Sequence, residues 1–200
     1  MIDIVFPKDN EKEFIKLAKK LKYSSLCFVY SLKEFQQKKE KTTAQNKSNQ
    51  IKLKYGVLAK NNEIKKAQKL SNLIFVESSE KLRSLTEQNK NIILFDFEKE
   101  NKKDFIHQRR SGLNHIICKI TTKNKNKLAL PLSSILTQQE TKRGTLIGRI
   151  KANIRLCRKY KTNIIIASFA THPYGMRSYS DLVSFYSTLG LNPGDITSLD

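Results

Sequence analysis

The stretch from His107 to Lys127 reads HQRRSGLNHIICKITTKNKNK and gathers two of the three histidines, Arg109 and Arg110, and a run of lysines. Residues of these types support two kinds of chemistry. Imidazoles bind metals or move protons, whereas guanidinium and ammonium groups hold phosphates. Spacing separates the two readings. His107, His115 and His172 form no HxH or HExxH arrangement, and the interval between the first two crosses a loop and a helix start, so no helical face presents both.

The carboxylates give no stronger catalytic pattern. Asp3 sits in the first apolar run, Asp96 and Glu98 end a later one, and no GxSxG, GxxxxGK[ST] or GxGxxG occurs among the seven glycines. Asp3 and Asp96 fall near strand ends, where barrel enzymes carry catalytic groups, although Asp also caps helices. A metal-dependent barrel phosphoesterase using Asp3, Asp96, His115 and His172 is therefore one alternative. It predicts bound metal and hydrolysis without RNA. Cys27, Cys118 and Cys157 lie one per segment among apolar neighbours with no CxxC pairing, as reduced core residues do.

Charge points to a polyanion. The 200 residues carry 38 Lys plus Arg against 18 Asp plus Glu, a net of +20. Residues 98–161 hold 17 basic and 4 acidic residues, a net of +13, whereas 162–200 set Arg177 against Asp181, Asp195 and Asp200. A field this large attracts nucleic acid. The opening IDIVFPKD carries Asp3 where a signal peptide needs a basic region, and no apolar run approaches the ~20 residues of a membrane span. The expectation is a soluble cytoplasmic protein with no membrane partner.

Short β-rich runs recur at 2–6, 26–30, 53–59, 73–76, 92–97, 127–132 and 163–168. Stretches of helical character lie at 10–22, 31–40, 61–70, 79–90, 112–123, 144–160 and 179–189. This alternation predicts one α/β domain over 1–200 with parallel strands. The polar segment 37–50, QKKEKTTAQNKSNQ, reads as a mobile connection beyond a helix end, and 135–143 as a second loop.

These elements position the cations. Leu113, Ile116, Ile117 and Ile120 share the spacing of one helical face, with Ser111 as a candidate N-cap, which turns Lys119 and Lys123 to solvent. Over 144–160, Leu146, Ile147, Ile150, Ile154 and Cys157 form a docking arc, with Lys151, Arg155, Arg158 and Lys159 opposite. Between Arg143 and Lys161 no acidic residue offsets that strip. Lysine and arginine also simply solubilise helices, so the strip by itself does not require RNA. In ATHPYGMRSYSDL, Ser178 and Asp181 have cap spacing, and Arg177 precedes that helix start, a favourable place for an anion. A structural salt bridge is the alternative for Arg177.

RRSGLNHIICKITTKNK, the spacing to NIRLCRKYKTNIIIAS, and HPYGMRSYSDL with its following LGL resemble archaeal ribonuclease P protein component 3 and its eukaryotic counterpart. IDIVFPKD and KYGVLA agree as well, so the resemblance spans essentially the whole chain. It implies a TIM-type barrel. Only about seven strands are legible, which implies irregular or incomplete closure or an eighth strand hidden in 99–110. The fold is shared with metal-dependent phosphoesterases, yet Asp3-Ile4-Val5 stands where their HxH would be.

The resemblance further implies a protein subunit that assists a catalytic RNA in cutting the 5′ leader from precursor tRNA. It implies pairing with component 2, as a heterotetramer, and a holoenzyme with components 1 and 4 and often a kink-turn-binding ribosomal protein. No cofactor is expected on the protein, and magnesium is expected on the RNA. The expected phosphate-binding set is Arg109, Arg110, Lys119, Lys123, Arg149, Lys151, Arg155, Arg158, Lys159 and Arg177, with no catalytic or metal residue. His107 and His115 are further phosphate donors. A general RNA-binding accessory protein is the other alternative.

Overall fold

The structure is a computed structural model that describes residues 1–45, 51–78, 82–99, 103–105 and 109–199, without the side chains of 39–45. Among these residues seven parallel strands form one sheet in chain order: β1 (Ile2–Val5), β2 (Ser25–Ser31), β3 (Lys52–Leu58), β4 (Ile74–Glu77), β5 (Ile93–Phe95), β6 (Lys127–Pro131) and β7 (Ile164–Ala167). They alternate with α1 (Glu11–Lys20), α2 (Leu32–Gln45), α3 (Ile64–Gln68), α4 (Leu82–Gln88), α5 (His115–Lys123), α6 (Leu132–Leu136), α7 (Glu140–Tyr160) and α8 (Tyr179–Thr188). The expected α/β barrel-like fold is therefore present, nearly closed, with one unsealed seam between β7 and β1.

Period-two burial builds the barrel. Ile4, Cys27, Val29, Phe75, Ile93, Phe95, Ala129, Ile165 and Ala167 fill its interior together with Phe169 and Leu199. The opposite strand faces pack under the helices, as in Val57, Val76, Leu94, Leu128 and Ile166 against Ile117, Ile150, Ile154 and Leu182. In β3, Gly56 makes room for an interior ring, because a Cβ there would stand 2.5 Å from Cε2 of Phe75. All three cysteines are buried and free, as the apolar neighbourhoods predict.

At the seam the ladder is replaced by a few specific bonds. The Phe169 amide donates to the Ile4 carbonyl at 2.8 Å and the Phe6 amide to the Ala170 carbonyl at 2.9 Å. Asp3, fully buried, accepts from the Ser168 amide and hydroxyl at 2.7 Å each and from the Ile4 amide at 2.9 Å. At the other end of β7, Ile196 bridges to Ile164 and the Thr197 amide donates to the Ile164 carbonyl at 2.7 Å, which carries Leu199 into the interior. Asp3 thus neither caps a helix nor faces an open site.

Local boundaries differ from the sequence reading for physical reasons. α5 starts at His115, not 112, because Gly112 adopts φ +78° and the Asn114 side chain caps the helix by accepting from the Ile117 amide at 2.9 Å. Ser111 is buried and is not the cap. Leu113 reaches the core from the loop, Ile116 is exposed, and the buried stripe is Ile117, Cys118 and Thr121. The predicted loop 135–143 holds the end of α6 and the start of α7. Of the polar segment 37–50, residues through Gln45 continue α2, and 46–50 lie outside the described residues. In 99–110, the place expected for a hidden eighth strand, none of the described residues is in strand.

Candidate nucleic-acid interface

α5 and α7 pack against each other, and their exposed faces carry the cations. Lys119 and Lys123 stand one turn apart on α5; Lys151, Arg155 and Lys159 stand at successive i+4 positions on α7, all exposed. Tyr160, the last residue of α7, joins the two faces. Its ring lies 5.9 Å from the Lys119 ammonium and 5.8 Å from that of Lys159, with the His115 ring 6.5 Å away. Two strips whose nearest members, Lys123 and Lys151, are 28 residues apart in the sequence become one cationic patch, with an aromatic ring between Lys119 and Lys159. None of these five cations has a carboxylate partner among the described residues. The buried stripe of α7 supplies the rigidity beneath them.

The remaining expected residues divide. Arg177 is exposed, and its Nη1 donates to the carbonyls of Tyr174 at 2.9 Å and Met176 at 2.7 Å. No described carboxylate pairs with it, so the salt-bridge alternative is not what holds it. The cap beside it is as read, the Ser178 hydroxyl accepting from the Asp181 amide at 3.2 Å. Arg158 is engaged internally, 2.9 Å from an Asp195 carboxylate oxygen and donating to the Gly190 carbonyl at 3.0 Å. Arg109 lies across α7 at Gly148, where a Cβ would come within 2.3 Å of its Nη1, and 3.7 Å from Asp104. Arg110 stacks its guanidinium 4.2 Å from the Phe105 ring centroid. His107 lies outside the described residues.

Arg149 is a correction. Its side chain is only 6% exposed, and it grips Asp104 at 2.8 Å from both Nε and Nη2 while Nη1 donates to the Glu98 carbonyl at 3.0 Å. A guanidinium so placed organises the loop after β5 and does not present itself to RNA. Asn153, one turn on, donates to the Ser111 carbonyl at 2.7 Å and to Glu98 at 3.3 Å. The signal was present: Arg149 and Asn153 continue the i, i+3, i+4, i+7 spacing set by Leu146, Ile150 and Ile154, so both belong to the buried stripe.

Electrostatics around this loop follow burial. Desolvation lifts the Glu98 carboxyl to about 8 against the opposing hydrogen bonds, and lifts Asp3 to about 6. Burial also pushes Asp104 upward, but the Arg110 amide, Arg149 and Arg109 outweigh it and hold Asp104 below its ordinary value. A cleft of about 570 Å³ opens here, lined by Lys99, Lys103, Thr141, Lys142 and Thr145 over the Arg149–Asp104 pair. Its acidic groups are spent internally, Asp104 accepting from Arg149 at 2.8 Å and the Arg110 amide at 2.9 Å, and Glu98 from Asn153 at 3.3 Å; nearby, Asp96 accepts from the Ser134 hydroxyl and pairs with Lys99 at 2.6 Å.

The phosphoesterase alternative needs Asp3, Asp96, His115 and His172 together. Asp3 is bound into the seam, Asp96 lies beside Ser134, His115 neighbours Tyr160 and His172 stacks on Tyr174. Among the described residues no three His, Cys, Asp or Glu side chains converge on a common metal position. Nor, among them, is any helix long and apolar enough to cross a membrane.

Comparison with known proteins supplies a relationship. The profile of the family described as RNase P subunit p30 matches residues 2–198. Ribonuclease P protein component 3 of Methanococcus vannielii is 25% identical over 127 residues, 63% of this chain and 52% of that protein. Its counterpart in Methanocaldococcus jannaschii is 22% identical over 189 residues, 90% of this chain and 79% of that protein. The alignment thus spans about half the length of the Methanococcus vannielii relative. Among solved structures, a chain in the cryo-EM structure of archaeal ribonuclease P with mature tRNA superposes with a TM-score of 0.79 at 21% identity, covering 96% of this chain and 84% of that one. That likeness establishes the shared fold.

Proposed function

The chain belongs to the RNase P subunit p30 family, and from that membership and its surface we propose that it is a protein subunit of ribonuclease P. In this reading it assists a catalytic RNA in removing the 5′ leader of precursor tRNA and contributes no cleavage apparatus of its own. The observation that carries the reading is the convergence of Lys119 and Lys159 at Tyr160, which merges two helices into one patch facing solvent.

The mechanism is charge screening. A ribozyme folds a dense polyanion around magnesium ions, and fixed ammonium and guanidinium groups lower the repulsion between its strands, so less magnesium suffices. Structured RNA is read by shape and backbone more than by base edges, which suits exposed Lys and Arg on rigid helices. Lys119, Lys123, Lys151, Arg155, Lys159 and Arg177 are the phosphate contacts, with Arg109, Arg110 and Arg158 at the margins. Six such contacts give log K a dependence on log salt of roughly −4.2 to −5.4.

The partners that go with this role are ribonuclease P RNA, component 2 in a heterotetramer, components 1 and 4 in the holoenzyme, and precursor tRNA as substrate. Magnesium belongs to the RNA, and the compartment is the cytoplasm. Reconstitution tests it: leader removal is measured at low magnesium with component 2 present, with and without this chain. The expected result is a lower magnesium requirement when the chain is present. Unchanged cleavage would favour a general RNA-binding accessory protein, and phosphodiester hydrolysis by the isolated chain would favour the phosphoesterase.

A further inference from the structure

Tyr174 presents its ring to solvent at 81% exposure, far more than its amphipathic side chain needs. It is not loose. It sits in the short 3-10 turn Pro173–Gly175 that follows β7, where Pro173 and Met176 are buried and the Gly175 and Met176 amides donate back to His172 and Pro173 at 2.9 Å each. From below, the Tyr23 hydroxyl donates to the Arg177 carbonyl at 2.7 Å, and Arg177 itself laces the turn through two carbonyls. The imidazole of His172 stacks against the phenol, with centroids 5.3 Å apart and planes 28° from parallel. One face of an aromatic step is thus already built, beside a guanidinium with no described carboxylate partner.

We propose that the His172–Tyr174 pair is a stacking platform for one unpaired RNA base, with Arg177 taking the adjoining phosphate. This rests on the RNA-binding role proposed above and adds a non-ionic contact to it. Every base has a π face, so an exposed ring held rigid binds single-stranded RNA with little sequence preference and no further ordering cost. The Arg177 guanidinium beside the ring, bound among the described residues only to backbone carbonyls, favours RNA over a protein surface as the occupant, even though 162–200 as a whole carries three aspartates to its one arginine. Residues 172–178, HPYGMRS, contain no acid, and the chain carries +20.

The test uses the full chain and ribonuclease P RNA, with affinity measured across a salt series. Tyr174→Ala is expected to weaken binding about tenfold, the scale of one lost base–aromatic stack, while leaving the salt slope unchanged. Tyr174→Phe is expected to bind as the parent does. Zero-length ultraviolet cross-linking, followed by peptide mapping, is expected to place an RNA adduct on Tyr174. If the parent chain binds no RNA, the RNA-binding role itself fails. If the parent binds with a steep salt slope but Tyr174→Ala is indistinguishable and no adduct forms, the platform is wrong. Loss of component 2 binding by Tyr174→Ala, with RNA affinity intact, would assign the ring to a protein contact and overturn the proposal equally.

Discussion

Lys119 and Lys159 direct their ammonium groups to the same ring, at 5.9 and 5.8 Å from the centroid of Tyr160. Two like charges held near one tyrosine, with no described carboxylate between them, gain most from a shared anion. Reversing either to Glu should lower RNA affinity at every sequence tested and reduce the salt slope by about 1, and the double reversal by about 2. Filter binding over a salt series checks this. Circular dichroism should stay unchanged, since neither side chain supports the core.

Arg158 should behave differently from its helix neighbours. Arg158→Glu sets a carboxylate against Asp195, which now pairs with the guanidinium at 2.9 Å. The half-exposed pair is screened, so the cost should be at most about 1 kcal/mol. It should appear as faster hydrogen exchange near Gly190 and Asp195 more than as a change in salt slope.

Arg149→Met should damage folding while leaving the salt slope intact. It leaves the Glu98 carbonyl without its guanidinium donor and Asp104 with only the Arg110 amide and the more distant Arg109, at about 1–3 kcal/mol, below the cost of a fully broken buried pair because Asp104 keeps these partners and some contact with water. Urea denaturation measures it. Adding Asp104→Asn should recover part of the loss, as expected for partners in one network.

Stability should decline as pH rises from about 4.5 to 8. Unfolded, the Asp3 and Glu98 carboxyls lose their protons near their ordinary values, 3.8 and 4.5; folded, burial delays this to about 6 and about 8. The folded state therefore holds the extra protons through this window, and their stabilising effect is lost as each group ionises, on the order of 3 kcal/mol for Asp3. Asp3→Asn imitates the protonated form and can still accept from the Ser168 and Ile4 amides. Thermal melts across pH should show a flatter profile for Asp3→Asn, and likewise for Glu98→Gln.

Two glycines should respond with opposite sign. Gly56→Ala drives a Cβ to 2.5 Å from a buried Phe75 ring atom and should cost about 1–3 kcal/mol. Gly148→Ala meets only the end of Arg109, 51% exposed and flexible. Helix propensity should then dominate and raise stability by up to about 1 kcal/mol, while Arg109 swings off α7.

Sequence periodicity determined much of this protein by itself. Alternating short β-rich runs and polar helical stretches required parallel strands, because parallel neighbours need a crossover between them, and all seven strands fall where those runs lie. The exposure of Lys119, Lys123, Lys151, Arg155 and Lys159 also follows from helical phase. The Ser178 cap was legible because a cap bond spans only three residues.

Tertiary structure decided what depends on distant partners. No local pattern states that Asp3 will accept from Ser168, 165 positions away, so a residue that resembled a strand-end catalyst closes a seam. Arg149 has the residue type of a phosphate contact, yet its position in the docking stripe and the arrival of Asp104 bury it. Tyr160 unites two strips only because α5 and α7 pack together. Charge and phase are properties of the chain read in order, but pairing is a property of space, and a side chain's role is settled by which groups the fold brings to it.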